Sequence, residues 1–142
     1  MTRRCHILLM DDEAYVREVV QNMLVELGHT VEAVADGNAA VASFESARAS
    51  SSPFDLVLLD LTIPGGPGGR AVLARLLKLD PDTRAVASSG YSADPAMADP
   101  AAHGFSGTLT KPYTIDDLAR IIARALHTRP STRDKPSDET PG

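Results

Sequence analysis

Along this chain, short unbroken apolar runs alternate with stretches in which apolar residues return every three or four positions. Runs of the first kind predict strands, and stretches of the second predict helices with one buried stripe. "CHILLM", residues 5–10, is the first strand, followed at once by the acidic triplet Asp11, Asp12 and Glu13. Val16, Val19, Val20, Met23, Leu24 and Leu27 then share one helical face, and Gly28 stands where a helix ends on a left-handed residue. "TVEAVA", residues 30–35, predicts a second strand, and Asp36 is placed to cap a short helix carrying Ala40, Val41 and Phe44. "ARASSSP", residues 47–53, predicts a loop.

"FDLVLLD", residues 54–60, is nearly continuous in its apolar character, as in a sheet covered on both faces, yet it ends on a carboxylate, Asp60. Val72, Leu73, Leu76 and Leu77 predict a third helix, stopped by "DPDT" at residues 80–83, and "RAVASSG", residues 84–90, predicts a fourth strand. Residues 93–103 carry Asp-Pro steps at Asp94 and Asp99 and predict a weakly patterned fourth helix. "GTLT", residues 107–110, is the fifth strand and runs into Lys111 and Pro112. Thr114, with Asp117 three residues on, forms a capping-box-like start for a last helix with the stripe Ile115, Leu118, Ile121, Ile122, Ala125 and Leu126. Strands alternating with helices imply an α/β fold, a parallel sheet with helices on both faces.

Length and composition narrow this further. A chain of 142 residues, 43% hydrophobic and 23% charged, suits one globular domain. From His127 the sequence is nearly devoid of apolar residues and rich in proline, so a domain over residues 1–128 and a disordered polar tail over 129–142 are expected. The net charge of −5 offers no basic face for nucleic acid. One cysteine, Cys5, permits no internal disulfide, and no apolar run is long enough to span a membrane, so a cytoplasmic location without membrane contact is expected.

In a parallel sheet of this kind, functional groups gather at the carboxyl ends of the strands. Asp11 and Asp12 follow strand one, Asp60 ends strand three, Ser88 and Ser89 end strand four, and Lys111 follows strand five. Singly, each suits a local role, as a turn residue, a helix cap or a solvated surface charge. Together they place three carboxylates, hydroxyls and an ammonium at one edge. Such carboxylates repel one another unless a cation joins them or one holds its proton. Hard oxygen donors without His or Cys select Mg²⁺ or a similar ion, which keeps waters and takes phosphate oxygens. Asp60 can then act as a nucleophile toward phosphorus, with Lys111, a serine hydroxyl and backbone N–H groups binding the phosphoryl oxygens.

With "MDDE", "LVLLDLTIPGGPGG", "SSG" and "KPY" in place over about residues 5–126, the sequence resembles the receiver domains of two-component response regulators. "SSGYSADP" and "GFSGTLTKPY" look most like receivers attached to hybrid sensor histidine kinases. The resemblance implies a doubly wound, flavodoxin-like, five-stranded sheet of order 2-1-3-4-5 flanked by five helices. It also implies Mg²⁺-dependent (or Mn²⁺-dependent) transfer from a phosphohistidine of a histidine kinase or histidine phosphotransfer domain. Residue by residue, Asp60 matches the phosphoacceptor, Asp12 the acid that binds the metal directly, and Asp11 its neighbour, which holds metal-bound water. Thr62 matches the position giving a backbone carbonyl to the metal, Lys111 the phosphoryl-pairing lysine, and Ser89 the switch hydroxyl, with Gly90 as the small residue after it. The bond to Pro112 is then expected to be cis. Phosphorylation would switch a face made by the fourth helix, fifth strand and fifth helix.

One position departs from the family. Thr108 stands where Tyr or Phe is common, which puts an aromatic switch there in question; Tyr91 and Tyr113 are the aromatic residues nearest the expected site. "GGPGG", residues 65–69, lacks the lysine and hydroxyl of a P-loop and is expected to form a pliable rim. Cys5 and His6 are expected to pack at the start of a strand. Two rivals remain: a phosphatase of the haloacid dehalogenase class, against which stand Thr62 in place of a second acid and the N-terminal place of the acidic pair, and a receiver that only binds. Too few residues follow the last helix for an effector domain, so a stand-alone receiver or part of a hybrid kinase is expected.

Overall fold

The computed structural model describes residues 4–91 and 93–127. The tail expected over 129–142 lies outside them. Five parallel strands, β1 (His6–Met10), β2 (Thr30–Val34), β3 (Leu56–Asp60), β4 (Ala85–Ser89) and β5 (Gly107–Thr110), form one sheet in the order β2-β1-β3-β4-β5. This is the doubly wound order that the resemblance implies. The strands alternate with α1 (Ala14–Glu26), α2 (Gly37–Ala49), α3 (Gly69–Leu79), α4 (Pro95–Ala98) and α5 (Ile115–His127).

Side-chain alternation along each strand divides the core in two. Leu8, Met10, Val57, Leu59, Ala85 and Ala87 face one way, onto α2 and α3 with Phe44, Val72, Leu73 and Leu76. Ile7, Leu9, Leu56, Leu58, Val86 and Leu109 face the other, onto Val20 and Leu24 of α1 and Leu118, Ile121, Ile122 and Ala125 of α5. Burial on both faces explains why β3 and β4 are buried along their whole length. Cys5 is buried at the start of β1, and the His6 ring stacks on Phe54 with 4.2 Å between centroids, both packing as expected.

Local chemistry sets most element ends. Asp36 caps α2 by accepting from the Ala39 N–H at 2.8 Å. At the end of α1, Gly28 takes φ 96, its N–H donates to the Val25 carbonyl, and the His29 N–H donates to that of Leu24. That is the pattern of a helix closed by a left-handed residue. The same pattern closes α2 with no glycine: Ser51 takes φ 64, and the N–H groups of Ser51 and Ser52 return to the carbonyls of Arg48 and Ala47. So α2 runs on to Ala49, through the start of the predicted loop, and Ala47 is buried.

The fourth helix is shorter than predicted. Asp94 caps it by accepting from the Ala96 N–H at 2.9 Å, and it stops at Ala98, because the residue before Pro100 is pushed out of the helical region. A single 3-10 turn, Ala101–His103, follows and ends on Gly104 at φ 87. α5 begins with the reciprocal bonds of a capping box, Thr114 N–H to Asp117 Oδ2 at 2.9 Å and Asp117 N–H to Thr114 Oγ1 at 3.1 Å. The Lys111-Pro112 bond is cis.

Candidate functional site

The carboxyl ends of β1, β3 and β5 bring Asp11, Asp60 and Lys111 together. Lys111 Nζ donates to Asp11 Oδ2 at 2.8 Å and to Asp60 Oδ2 at 3.2 Å. Asp60 Oδ1 accepts from the Thr62 N–H at 3.1 Å, and Asp11 Oδ1 from the Glu13 N–H at 2.9 Å. Arg17 of α1 reaches back to the Asp11 carbonyl at 2.8 Å, tying the helix to the loop that carries the acids. Arg17 escaped the sequence reading because its partner is a backbone oxygen, which leaves no side-chain pattern.

Asp11 and Asp60 are buried and Asp12 is exposed, and the three carboxylates each bring an oxygen to within 4.8 Å of the others. When ionised they outnumber the one ammonium by two charges, the charge of a divalent cation. All donors are hard oxygens, which fits Mg²⁺ or Mn²⁺ better than a softer metal. Burial raises the Asp60 carboxyl above its ordinary range; the Thr62 N–H and Lys111 oppose this, and the Asp11 charge adds to it. Burial acts to lower Lys111, but its bond to Asp11 and the charges of Asp60 and Asp11 prevail and hold it above its ordinary value. The ammonium therefore stays charged beside the acids.

The two serines separate. Ser88 is the register partner of Asp60, so their side chains leave the sheet on the same face. Ser89 pairs with Thr110 and points to the other face. Its hydroxyl accepts from the Tyr91 N–H at 2.9 Å and donates to the Tyr91 carbonyl at 3.4 Å, so in this state it serves its own loop. The Ser88 hydroxyl is buried and has no hydrogen-bond partner among the described residues. Close by is Tyr113, half-buried, whose phenol burial pushes up to about 12, with the Ser88 hydroxyl and Lys111 acting in the opposite sense. The two hydroxyls feel each other without meeting hydrogen-bond geometry.

The loop after Asp60 is tighter than a pliable rim. A Cβ on Gly68 would lie 2.0 Å from the Leu61 carbonyl oxygen, and one on Gly69 would lie 2.9 Å from that of Asp60. Only hydrogen at these positions lets α3 start against the backbone that carries the acid. Gly65, at φ 75, makes the turn itself. Thr62 is exposed two residues past Asp60. Thr108 lies on the edge strand β5, beside a cavity of about 310 Å³ also lined by Tyr113 and Arg120.

Comparison with known proteins identifies the family. The family model of the response regulator receiver domain matches residues 7–123. The chain is similar to the transcription factor SKN7 of Saccharomyces cerevisiae, 32% identical over 124 residues, which are 87% of this chain and 19% of that protein. It is also similar to the sensor histidine kinase AruS of Pseudomonas aeruginosa, 34% identical over 119 residues, 82% of this chain and 11% of that one. Among solved structures, the receiver domain of the Pseudomonas aeruginosa sensor histidine kinase PA1611, with a magnesium ion in its active-site cleft, superposes with TM-score 0.75. It is 26% identical, over 89% of this chain and the whole of that one. The chain thus spans a fifth or less of the length of these two curated relatives.

Proposed function

The chain belongs to the response regulator receiver domain family, a module of two-component signalling, and we propose that it accepts a phosphoryl group on Asp60 from a phosphohistidine. The observation that carries this is the Lys111 ammonium shared between Asp11 and Asp60 beside a three-carboxylate cluster. In the transfer, an Asp60 carboxylate oxygen forms a bond to phosphorus while the phosphorus–nitrogen bond of the donor breaks. The leaving imidazole keeps the bond's electron pair and takes up a proton. Lys111 moves from the carboxylate to a phosphoryl oxygen, and the Thr62 N–H holds the other carboxylate oxygen. The Ser89 hydroxyl, released from Tyr91, turns to the new anion.

Asp11, Asp12, Asp60 and the Thr62 carbonyl are the groups that would hold Mg²⁺ or Mn²⁺, whose charge would offset that of the transferred phosphoryl group. We place the domain over residues 1–128 on the cytoplasmic side and assign it no chemistry of its own beyond gaining and losing the phosphoryl group. Its donor is a histidine kinase or histidine phosphotransfer domain, and the hybrid-kinase-like motifs favour a place in a phosphorelay with such a kinase. Among the described residues no helix is long and apolar enough to cross a membrane, and the net charge of −5 argues against direct nucleic-acid contact. Output passes by population shift at the face of α4, β5 and α5.

Incubation with acetyl phosphate and Mg²⁺, followed by intact mass, tests the reading. One phosphate adduct is expected, absent in Asp60→Asn. An adduct that survives Asp60→Asn, or none in the natural chain, would overturn it.

A further inference from the structure

Ser88 carries an observation that the phosphoacceptor reading leaves unused. A buried hydroxyl without a partner is unfavourable, so a state that gives it one gains that bond's worth relative to this state. Its place is specific: on β4 it sits directly across from Asp60, on the sheet face shared with Leu58, Val86 and Leu109, away from Ser89. A candidate partner is the Tyr113 hydroxyl, two residues beyond Lys111, which already feels the Ser88 hydroxyl. That ring has room to move. It lines the cavity of about 310 Å³ toward β5 and α5, and also a separate apolar one of about 390 Å³ walled by Val16, Val19 and Met23 of α1.

We propose that Ser88 is a positioning residue and that Tyr113 is the aromatic switch of this chain: when Asp60 bears a phosphoryl group, the Tyr113 hydroxyl closes onto the Ser88 hydroxyl. This rests on the phosphoacceptor reading. The coupling is mechanical and short. A phosphoryl group on Asp60 draws the Lys111 ammonium away from Asp11 and Asp60, and the Lys111–Tyr113 segment follows its side chain. The Tyr113 hydroxyl then closes the short remaining gap to Ser88, and the shift of its ring alters the wall it gives to both cavities. Tyr113 thus links Asp60 to the α1 side and to the β5–α5 side at once, with no need of an aromatic residue at Thr108.

A hydrogen bond made only in the phosphorylated state adds its worth to that state alone. Beryllofluoride with Mg²⁺, a mimic of the phosphoryl group on Asp60, measures this by calorimetric titration of the full chain. Ser88→Ala and Tyr113→Phe should each weaken binding about fivefold, the worth of one ordinary hydrogen bond. The double variant should lose no more than either single one, because both remove the same bond. The chain has three tyrosines and no tryptophan, so a near-ultraviolet difference spectrum of tyrosine should accompany binding and be lost in Ser88→Ala while binding persists. Losses that multiply in the double variant, unchanged affinities, or a spectral change that survives Ser88→Ala would overturn the switch and leave the phosphoacceptor reading standing. No beryllofluoride binding by the natural chain, with no phosphate adduct on Asp60, would overturn both. Tyr113→Phe keeps the ring and its packing, so the test stands even where Ser88→Ala folds poorly.

Discussion

Replacing Gly68 by alanine should cost far more stability than a surface methyl group normally does. The added Cβ would lie 2.0 Å from the Leu61 carbonyl oxygen and 2.9 Å from its carbon, where packed carbon atoms keep about 3.5 Å or more. Gly68 has φ −88, which any residue adopts, so the penalty is steric and not conformational. Relief requires the start of α3 to withdraw by roughly 1 Å from the end of β3. Val72, Leu73 and Leu76 of that helix are wholly buried, so withdrawal also loosens one side of the core. Overpacking of this kind costs about 1–3 kcal/mol, and the upper end is expected, lowering Tm by roughly 10 °C in a domain of this size.

Two neighbours serve as controls. Gly66→Ala meets nothing nearer than 4.0 Å and should change stability by less than about 0.5 kcal/mol. Gly65→Ala meets no atom but must hold φ 75, which costs about 1–2 kcal/mol. Urea titration followed by circular dichroism gives all three, provided m stays constant. Gly68→Ala should also slow phosphorylation, since Leu61 leads into the Thr62 N–H that holds Asp60 at 3.1 Å. If Gly68→Ala costs no more than Gly66→Ala, the segment is pliable and the close approach places no constraint on the site.

Asp60, raised by burial, binds its proton more tightly folded than unfolded, so it favours folding at low pH and costs stability as pH rises through its folded value. Asp60→Asn should therefore raise Tm at pH about 7 and lose that advantage as the pH falls toward the ordinary carboxyl value of 3.8; an advantage that grows on acidification would refute the assignment. His29 has the opposite dependence. Burial lowers it, with Asp55 opposing, and its Nδ1 accepts the Cys5 N–H at 3.0 Å. Its stabilising contribution is complete above pH 6.5 and fades as the pH falls below that value, so His29→Gln should flatten the acid side of the Tm profile between pH about 6.5 and 5. Lys111→Met should raise Asp60 further, seen by carboxyl-carbon NMR, and weaken beryllofluoride binding about tenfold or more, as expected for a lost charge-assisted hydrogen bond; an unchanged affinity would remove Lys111 from the site.

How far the sequence could be read depended on the range of the interactions involved. The α5 capping box was legible because Thr114 and Asp117 satisfy each other three residues apart. The end of α1 was legible because a left-handed residue there is a glycine. The end of α2 was not, since Ser51 takes the same conformation with no marker in the sequence. The fourth helix is shorter than its pattern predicts because both Asp-Pro steps look alike in the sequence, whereas the first starts the helix and the second ends it.

The site divides in the same way. Asp11, Asp60 and Lys111 follow from the sequence, because strand ends in a parallel sheet lie at one edge whatever the finer packing. Which serine faces Asp60 does not follow, because a shift of one residue in the register of β4 would exchange Ser88 and Ser89 between the two faces. Only the pairing of Asp60 with Ser88 decides it. The sequence likewise held the glycines at residues 65–69, but a turn and a close contact use the same residue type. Their separation into a turn glycine, Gly65, two contact glycines, Gly68 and Gly69, and the unconstrained Gly66 needed α3 seated against β3. Local hydrogen bonding and hydrophobic period act through neighbours in the chain and are written there, whereas register and backbone approach arise between segments and exist only once those segments have packed.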